Sequence, residues 1–311
     1  MEKQKYTIST NKLLYEIFNF TYSDDDIKEG VSYTKENKKE IYYYIEFSYE
    51  EFKGNTSKVK ISSLKKENLR FTIEEMLLYL ILIDNAKNSN VPDDYFISFR
   101  KIRNIRGLKS NSLNTYKKYE SAIERLISKT IIVTPIRSTF QRTFLKSPLL
   151  EIKNQQNSKN RIKEFNYSFG KLDNTFIKSK QQVRVSYNPY SFILKQSFAF
   201  QLCLHLTRLV FLNKSGKHNS KNFSFQNILM GIQKVDTSGL IESTNYYQYI
   251  SSAGNKQSEI LRNCYCDLEH ILSMMKETNY IIDYSIPVKR SYMYLKDNEV
   301  KITIKFLTSS K

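Results

Sequence analysis

The side chains best suited to chemistry in this sequence are cations and small hydrogen-bonding groups gathered between Ser98 and Arg125. The stretch holds Arg100, Lys101, Arg103, Arg106, Lys109, Lys117, Lys118 and Arg125, eight cations against two acids, Glu120 and Glu124. Ser112, Asn114, Thr115 and Ser121 are interleaved with them. Arg and Lys neutralise phosphates, while Asn, Ser and Thr bond phosphate oxygens or base edges. The chemistry on offer is reversible recognition of a polyanion. Arg137 and Arg142 continue the run, followed by Lys146, Lys153, Lys159, Arg161 and Lys163 against the single acid Glu151.

The local pattern says which elements must carry these groups. Ser98 to Arg106 reads as a short basic helix, and Gly107 with Lys109 to Ser112 as a turn. A longer amphipathic helix follows from about Asn114 to Lys129. Leu113, Tyr116, Tyr119, Ile123, Leu126 and Ile127 mark its buried stripe, leaving Asn114, Thr115, Lys117, Lys118, Ser121 and Arg125 outside. It runs into a β-branched strand, Thr130 to Thr134, which Pro135 stops. Thr72-Ile73-Glu74-Glu75 is a capping box that opens an earlier apolar helix. Leu149 to Ile152 reads as the returning strand of a hairpin and Asn154 to Asn160 as its polar tip. Helix, short helix, turn, long helix, strand and hairpin is the order of a winged helix-turn-helix, whose second motif helix lies in a DNA groove.

The second half repeats that outline. An apolar helix is expected from Asn188-Pro189 to near Gly216, then a short helix from Phe225 to Ile232 capped by Ser224. A polar stretch leads to a long helix over about Lys256 to Thr278, whose stripe is Ile260, Leu261, Cys264, Leu268, Ile271, Leu272 and Met275. The strand Tyr280 to Ile286 and a hairpin turned at Lys296 to Glu299 close it. Lys256, Gln257 and Arg262 are the counterpart candidates for nucleic-acid contact. The expected class is α+β, with two tandem winged helix-turn-helix domains at 70–187 and 188–311 and an N-terminal extension, partly strand, at 1–69. In that extension Asn11 to Phe20 reads as a short helix and Glu29 to Lys39 as a loop. Ile41 to Phe47 and Val59 to Ile61 read as strands joined through a turn at Phe52 to Asn55. Tyr42, Tyr43 and Tyr44 could stack bases, but a Tyr-rich strand here reads first as core and rim.

Composition sets the frame. The chain has 311 residues, 40% hydrophobic and 14% aromatic, enough for real cores. Its formal charge of +18 and pI near 9.5 favour an anionic partner. An AT-rich coding bias, visible as abundant Lys, Asn, Ile and Tyr with eight Gly and no Trp, inflates Lys, so Arg is the better witness. Seven of the twelve Arg fall within residues 100 to 162, and that clustering survives the discount. No apolar run is long enough to span a bilayer, and the first residues carry no apolar signal core, so a cytoplasmic protein without membrane partners is expected.

Catalytic patterns are weak. His205, His218 and His270 form no His-apolar-His pair, and there is no phosphate-binding Gly-x-x-x-x-Gly-Lys loop. His205 and His270 read as core residues. Cys203, Cys264 and Cys266 have neither disulfide nor zinc spacing, and the first two read as small buried hydrophobes. Asp24-Asp25-Asp26 reads as a solvated turn. No enzyme, metal or cofactor is expected.

On FTIEEMLLYLIL, ISFRKIRNI and YKKYESAIERLISKTIIV in one half, and VRVSYNPYSFIL, FSFQNILMGI and VKITIKF in the other, the chain resembles the plasmid replication initiators of the Rep type built from two winged-helix domains. The resemblance covers about residues 70 to 307. It implies binding to repeated origin sites in double-stranded DNA, a dimeric state at the protein's own operator, recruitment of a host initiator and helicase, and no catalytic centre. The first 65 to 70 residues and the long loop from Gly231 to Lys256 depart from that pattern. The alternatives are a winged-helix transcription regulator and a non-catalytic winged-helix assembly protein.

Overall fold

The computed structural model of the chain describes residues 5–20, 22–34, 36–50, 56–89, 94–108, 113–135, 145–158, 161–178, 181–194, 197–214, 220–286 and 301–306. The first elements are β1 (Tyr6–Ser9), α1 (Lys12–Asn19), β2 (Lys28–Tyr33), β3 (Lys39–Glu50), β4 (Thr56–Ser63), α2 (Ile73–Lys87), β5 (Tyr95–Ser98) and α3 (Phe99–Ile105). Next come α4 (Leu113–Ile127), β6 (Lys129–Pro135), β7 (Leu145–Pro148), β8 (Glu151–Ser158), β9 (Arg161–Ser168), α5 (Asp173–Phe176) and β10 (Gln182–Val185). The last are α6 (Ser197–Lys214), β11 (Ser220–Ser224), α7 (Phe225–Met230), β12 (Gln233–Val235), β13 (Ile241–Asn245), α8 (Tyr246–Ser251), α9 (Gln257–Glu277), β14 (Asp283–Ser285) and β15 (Lys301–Lys305). The fold is mixed α and β, divided into two compact units. One comprises residues 11–182 with 239–241; the other comprises 1–10, 183–238 and 242–311.

In the first unit α2 is the central helix. It is buried on nearly every side, from Ile73 through Ala86, as a helix without a polar face must be. Thr72 and Glu75 form the expected capping box at its start. Two tyrosines bring hydroxyls into this core and donate them to backbone carbonyls. Tyr79 donates to the Leu149 carbonyl at 3.0 Å, and Tyr167 donates to the Leu82 carbonyl at 2.8 Å while accepting from Asn85 at 2.9 Å. Tyr79 and Tyr167 are fully buried, whereas Tyr42, Tyr43 and Tyr44, read as core and rim, are half-buried.

An antiparallel sheet in the order β2-β3-β4-β6-β7 packs one face inward through Ile45, Phe47, Val59, Ile61, Ile131 and Val133. β2, β3 and β4 thus share a sheet with β6 and β7. Three expectations are corrected here. The loop expected from Glu29 to Lys39 is largely strand, because β2 pairs with β3 along its length and its polar residues sit at an edge. The strand after α4 is not a hairpin strand beside the motif: β6 lies between β4 and β7. The hairpin is β8–β9, which β5 joins in the order β5-β9-β8. Asn154 to Ser158, expected in a loop tip, are strand; their backbones pair while the side chains of Asn154 to Asn157 face solvent. The turn expected at Phe52 to Asn55 lies outside the described residues.

Three charged side chains lock this unit. Glu75 is fully buried. One of its oxygens accepts from the Thr72 amide at 2.8 Å and from Arg125 Nε at 2.9 Å; the other accepts from Lys129 Nζ. Lys129 is fully buried too, its ammonium 4.5 Å from the Phe71 ring centroid. Burial pushes its pKa down to about 8, against the pull of Glu75.

The second unit follows the same order. α6 is apolar and buried, and β11, α7, α9, β14 and β15 follow, with strands in the order β11-β15-β14. Its polar stretch after α7 is ordered: β12 pairs with β13, and α8 opens with a capping box between Asn245 and Gln248. The long apolar helix starts later than expected, because Pro189 to Leu194 form a separate 3-10 turn. Cys203 and Cys264 are buried as expected, and Cys266 is exposed. His270 is exposed, a correction; it reaches the core only through an edge contact with Phe192 at 5.8 Å. The hairpin turn expected at Lys296 to Glu299 lies outside the described residues. His205 packs over Gly231, where an added Cβ would fall 2.2 Å from its ring.

Two outcomes are expected. Glu75→Gln leaves Lys129 and Arg125 without their carboxylate, so urea unfolding should report a loss of about 3–5 kcal/mol, against less than about 0.5 for the exposed Glu67→Gln. Burial, with Arg208, pushes the pKa of His205 down to about 4 from its ordinary 6.5. The unfolded chain therefore binds more protons between those values. Its contribution to stability is present above pH 6.5 and lost as pH falls toward 4, with a slope of at most about 1.4 kcal/mol per pH unit. Unfolding midpoints across that window should flatten in His205→Gln.

Candidate nucleic-acid interface

The candidate surface is built by α3, α4 and the β8–β9 hairpin. Ser98 starts α3, its hydroxyl accepting from the Lys101 amide at 3.2 Å. Gly107 ends it with φ of 71°, a left-handed conformation that favours glycine. The Gly107 and Leu108 amides donate back to the Asn104 and Arg103 carbonyls at 3.0 and 3.1 Å, closing the helix C-terminus. α4 then docks through buried Tyr119, Ala122, Ile123 and Leu126. Ile127, expected in the buried stripe, is 41% exposed, because it falls past the edge of that narrow face.

Asn114, Lys117, Lys118 and Ser121 are exposed and spaced as one helix face. Thr115 is half-buried beside them. On α3, Arg100 and Lys101 are exposed and Arg103 is half-buried. The hairpin adds exposed Lys153 and Lys163, with Asn154 to Asn157 along its outgoing strand. The Glu120 carboxylate accepts from the Ile162 amide at 3.2 Å, which fixes the hairpin against α4. That role for an acid inside a basic stretch was not legible in the sequence, since nothing local marks Ile162 as its partner.

Two of the expected contact residues turn inward instead. Arg106 is only 6% exposed; its Nη1 donates to Tyr119 at 2.7 Å and to Glu74 at 3.2 Å, tying α3 to α2 and α4. Burial pushes the Tyr119 phenol up to about 12, in spite of Arg106. Arg125, expected outside, spends its guanidinium on Glu75, on Asn68 at 3.1 Å, and on the Glu67 and Arg70 carbonyls. A forked guanidinium suits such enclosed acceptor clusters better than an ammonium does. Lys109, Ser112, Arg137 and Arg142 lie outside the described residues.

In the second unit Lys256 and Arg262 are exposed and Gln257 is half-buried at the start of α9. Their helix also exposes Glu259, Glu269 and Glu277, so its outer side is mixed in charge. Among the described residues no group of His, Cys, Asp and Glu is placed to hold a metal, and no helix is long and apolar enough to cross a membrane.

No protein-family model matches the chain, and no curated protein does. Solved structures similar to it include two of RctB. One is domains 2-3 of RctB, at TM-score 0.41 and 10% identity over 85% of this chain and 91% of that one. The other is a selenomethionine derivative of RctB domains 2 and 3, at 0.43 and 10% over 86% and 92%.

The two kinds of cation should separate under mutation. Arg106→Ala strands Glu74 and Tyr119 and should lower stability by about 1.5–3 kcal/mol, whereas Lys117→Ala and Lys118→Ala should each stay within about 0.5. Urea unfolding of the three variants measures the difference.

Proposed function

We propose that the chain is a non-catalytic, sequence-specific double-stranded DNA-binding protein, built from two winged helix-turn-helix units, that initiates replication at repeated origin sites. The carrying observation is the outward face of α4, with Asn114, Lys117, Lys118 and Ser121 beside the basic hairpin that Glu120 holds in place. Such a helix in a major groove offers Lys to phosphates and Asn or Ser to base edges, while the hairpin follows the backbone. The strand order first-third-second, β5-β9-β8 and β11-β15-β14, supports the winged-helix reading of both units. Two such units in one chain suit DNA sites that recur along a duplex. The origin role rests on the resemblance to Rep-type initiators, as do the homodimer and the host initiator and helicase as partners. The mixed charge around Lys256 and Arg262 makes the first unit the principal DNA-reading head.

Fluorescence anisotropy on duplex DNA across a salt series tests the binding. Affinity should fall steeply with salt, and Lys117→Ala and Lys118→Ala should each reduce the slope by about 1. Binding undetectable at low salt would sink the proposal. An array of direct repeats of about two helical turns beside an AT-rich tract, in the DNA flanking the gene, distinguishes an origin from an operator.

A further inference from the structure

The outer face of the five-stranded sheet carries side chains that duplex binding leaves unused. Strand alternation puts Ile45, Phe47, Val59 and Ile61 into the core and turns Tyr42, Tyr44, Lys60 and Ser62 to the other side. Tyr42 is paired in register with Gly30. A Cβ built on that glycine would fall 2.3 Å from the Tyr42 Cζ, so the ring lies across the neighbouring strand in a seat only glycine leaves open. The Tyr44 ring is 5.8 Å away, centroid to centroid, tilted by 36°. Lys60, on the next strand, serves both rings. Its ammonium stands 3.5 Å from the Tyr44 centroid and 5.1 Å from that of Tyr42, and donates to the Tyr42 hydroxyl at 3.3 Å.

Charge surrounds the rings. Lys28 and Lys58 flank Glu46 at 3.6 and 2.9 Å and neutralise it. Lys146 shares the cross-strand row of Glu46, Lys60 and Ile132. The centre of the face thus has four lysines against one acid; Glu40 and Glu50 stand at the two ends of β3.

We infer that this face is a binding platform for single-stranded nucleic acid. Bases stack on Tyr42 and Tyr44, and Lys28, Lys58, Lys60 and Lys146 meet the phosphates. Unpaired bases offer the π-faces that two rings on a sheet can engage, whereas a duplex keeps its base faces inside the stack. A phosphate draws Lys60 off the Tyr44 ring and leaves that face to a base. The site is separate from α4 and does not depend on how α4 reads a duplex.

The test uses the full chain and fluorescein-labelled oligothymidine and oligouridine of about 20 nucleotides at low salt. Wild type should bind, and tighter binding of one oligomer identifies DNA or RNA as the ligand. Tyr42→Leu/Tyr44→Leu keeps apolar bulk without π-faces and should bind about tenfold or more weakly. Lys117→Ala/Lys118→Ala should leave oligomer affinity within about twofold while weakening duplex binding. Photocrosslinking of wild type to 5-iodouracil oligomers, read by mass spectrometry, needs no variant and should place the adduct on Tyr42 or Tyr44. Absence of oligomer binding, unchanged affinity in the double leucine variant, or adducts confined to other residues overturns the inference.

Discussion

The first unit depends on one carboxylate. Glu75 sits in the first turn of α2, where it caps the helix and takes both Arg125 from the end of α4 and Lys129 from the start of β6. Two cations and an anion removed from water are costly, and apolar residues of similar volume often stabilise as well. What such a cluster supplies is geometry. A helix N-terminus favours the anion, and the fork of Arg125 also engages Asn68 and two carbonyls. The end of α4 can therefore adopt one position relative to α2. Because β6 begins two residues after α4 ends, the same cluster sets where the five-stranded sheet takes up the chain.

That constraint reorders the meaning of charge in residues 98 to 125. Arg is enriched there, and Arg is less sensitive than Lys to a coding bias, yet part of the enrichment is internal architecture. Arg106 and Arg125 bind Glu74 and Glu75, adjacent residues on α2. Lys117 and Lys118 remain outside with Arg100 and Lys101. The open face is thus narrower than the list of cations in the sequence, and it is held rigid by the cations that left it.

Much of this was legible in the residues. The capping box at Thr72, the amphipathic period of α4, the glycine ending α3 and the burial of Cys203 and Cys264 are local rules, and local rules survive folding. What escaped was set by partners distant in sequence. β2 carries Gly30 and mostly polar residues, so nothing in its composition announces a strand; it becomes one because β3 pairs with it and Tyr42 fills the space over the glycine. β8 is polar on both faces, which reads as a loop until β9 lies beside it. Arg125 falls on the outer side of its helix by periodicity, and only the loop from Glu67 to Arg70 encloses it.

The two units share an order of elements without detectable sequence identity, and the difference between them is instructive. In the second, α9 leads to β14, the outgoing strand of its hairpin sheet. In the first, β6 and β7 intervene between α4 and β8, and they complete a sheet with strands drawn from residues 28 to 63. The insertion leaves the small sheet beside α4 unchanged in order, because β5 and β8 still flank β9. It adds a second, larger sheet whose inner face is apolar and whose outer face is not. A sheet needs one buried face to be stable; the composition of the other is free to follow function. On that free face the chain places Tyr42 over a glycine and Lys60 over the rings of both Tyr42 and Tyr44, an arrangement that packing alone does not require.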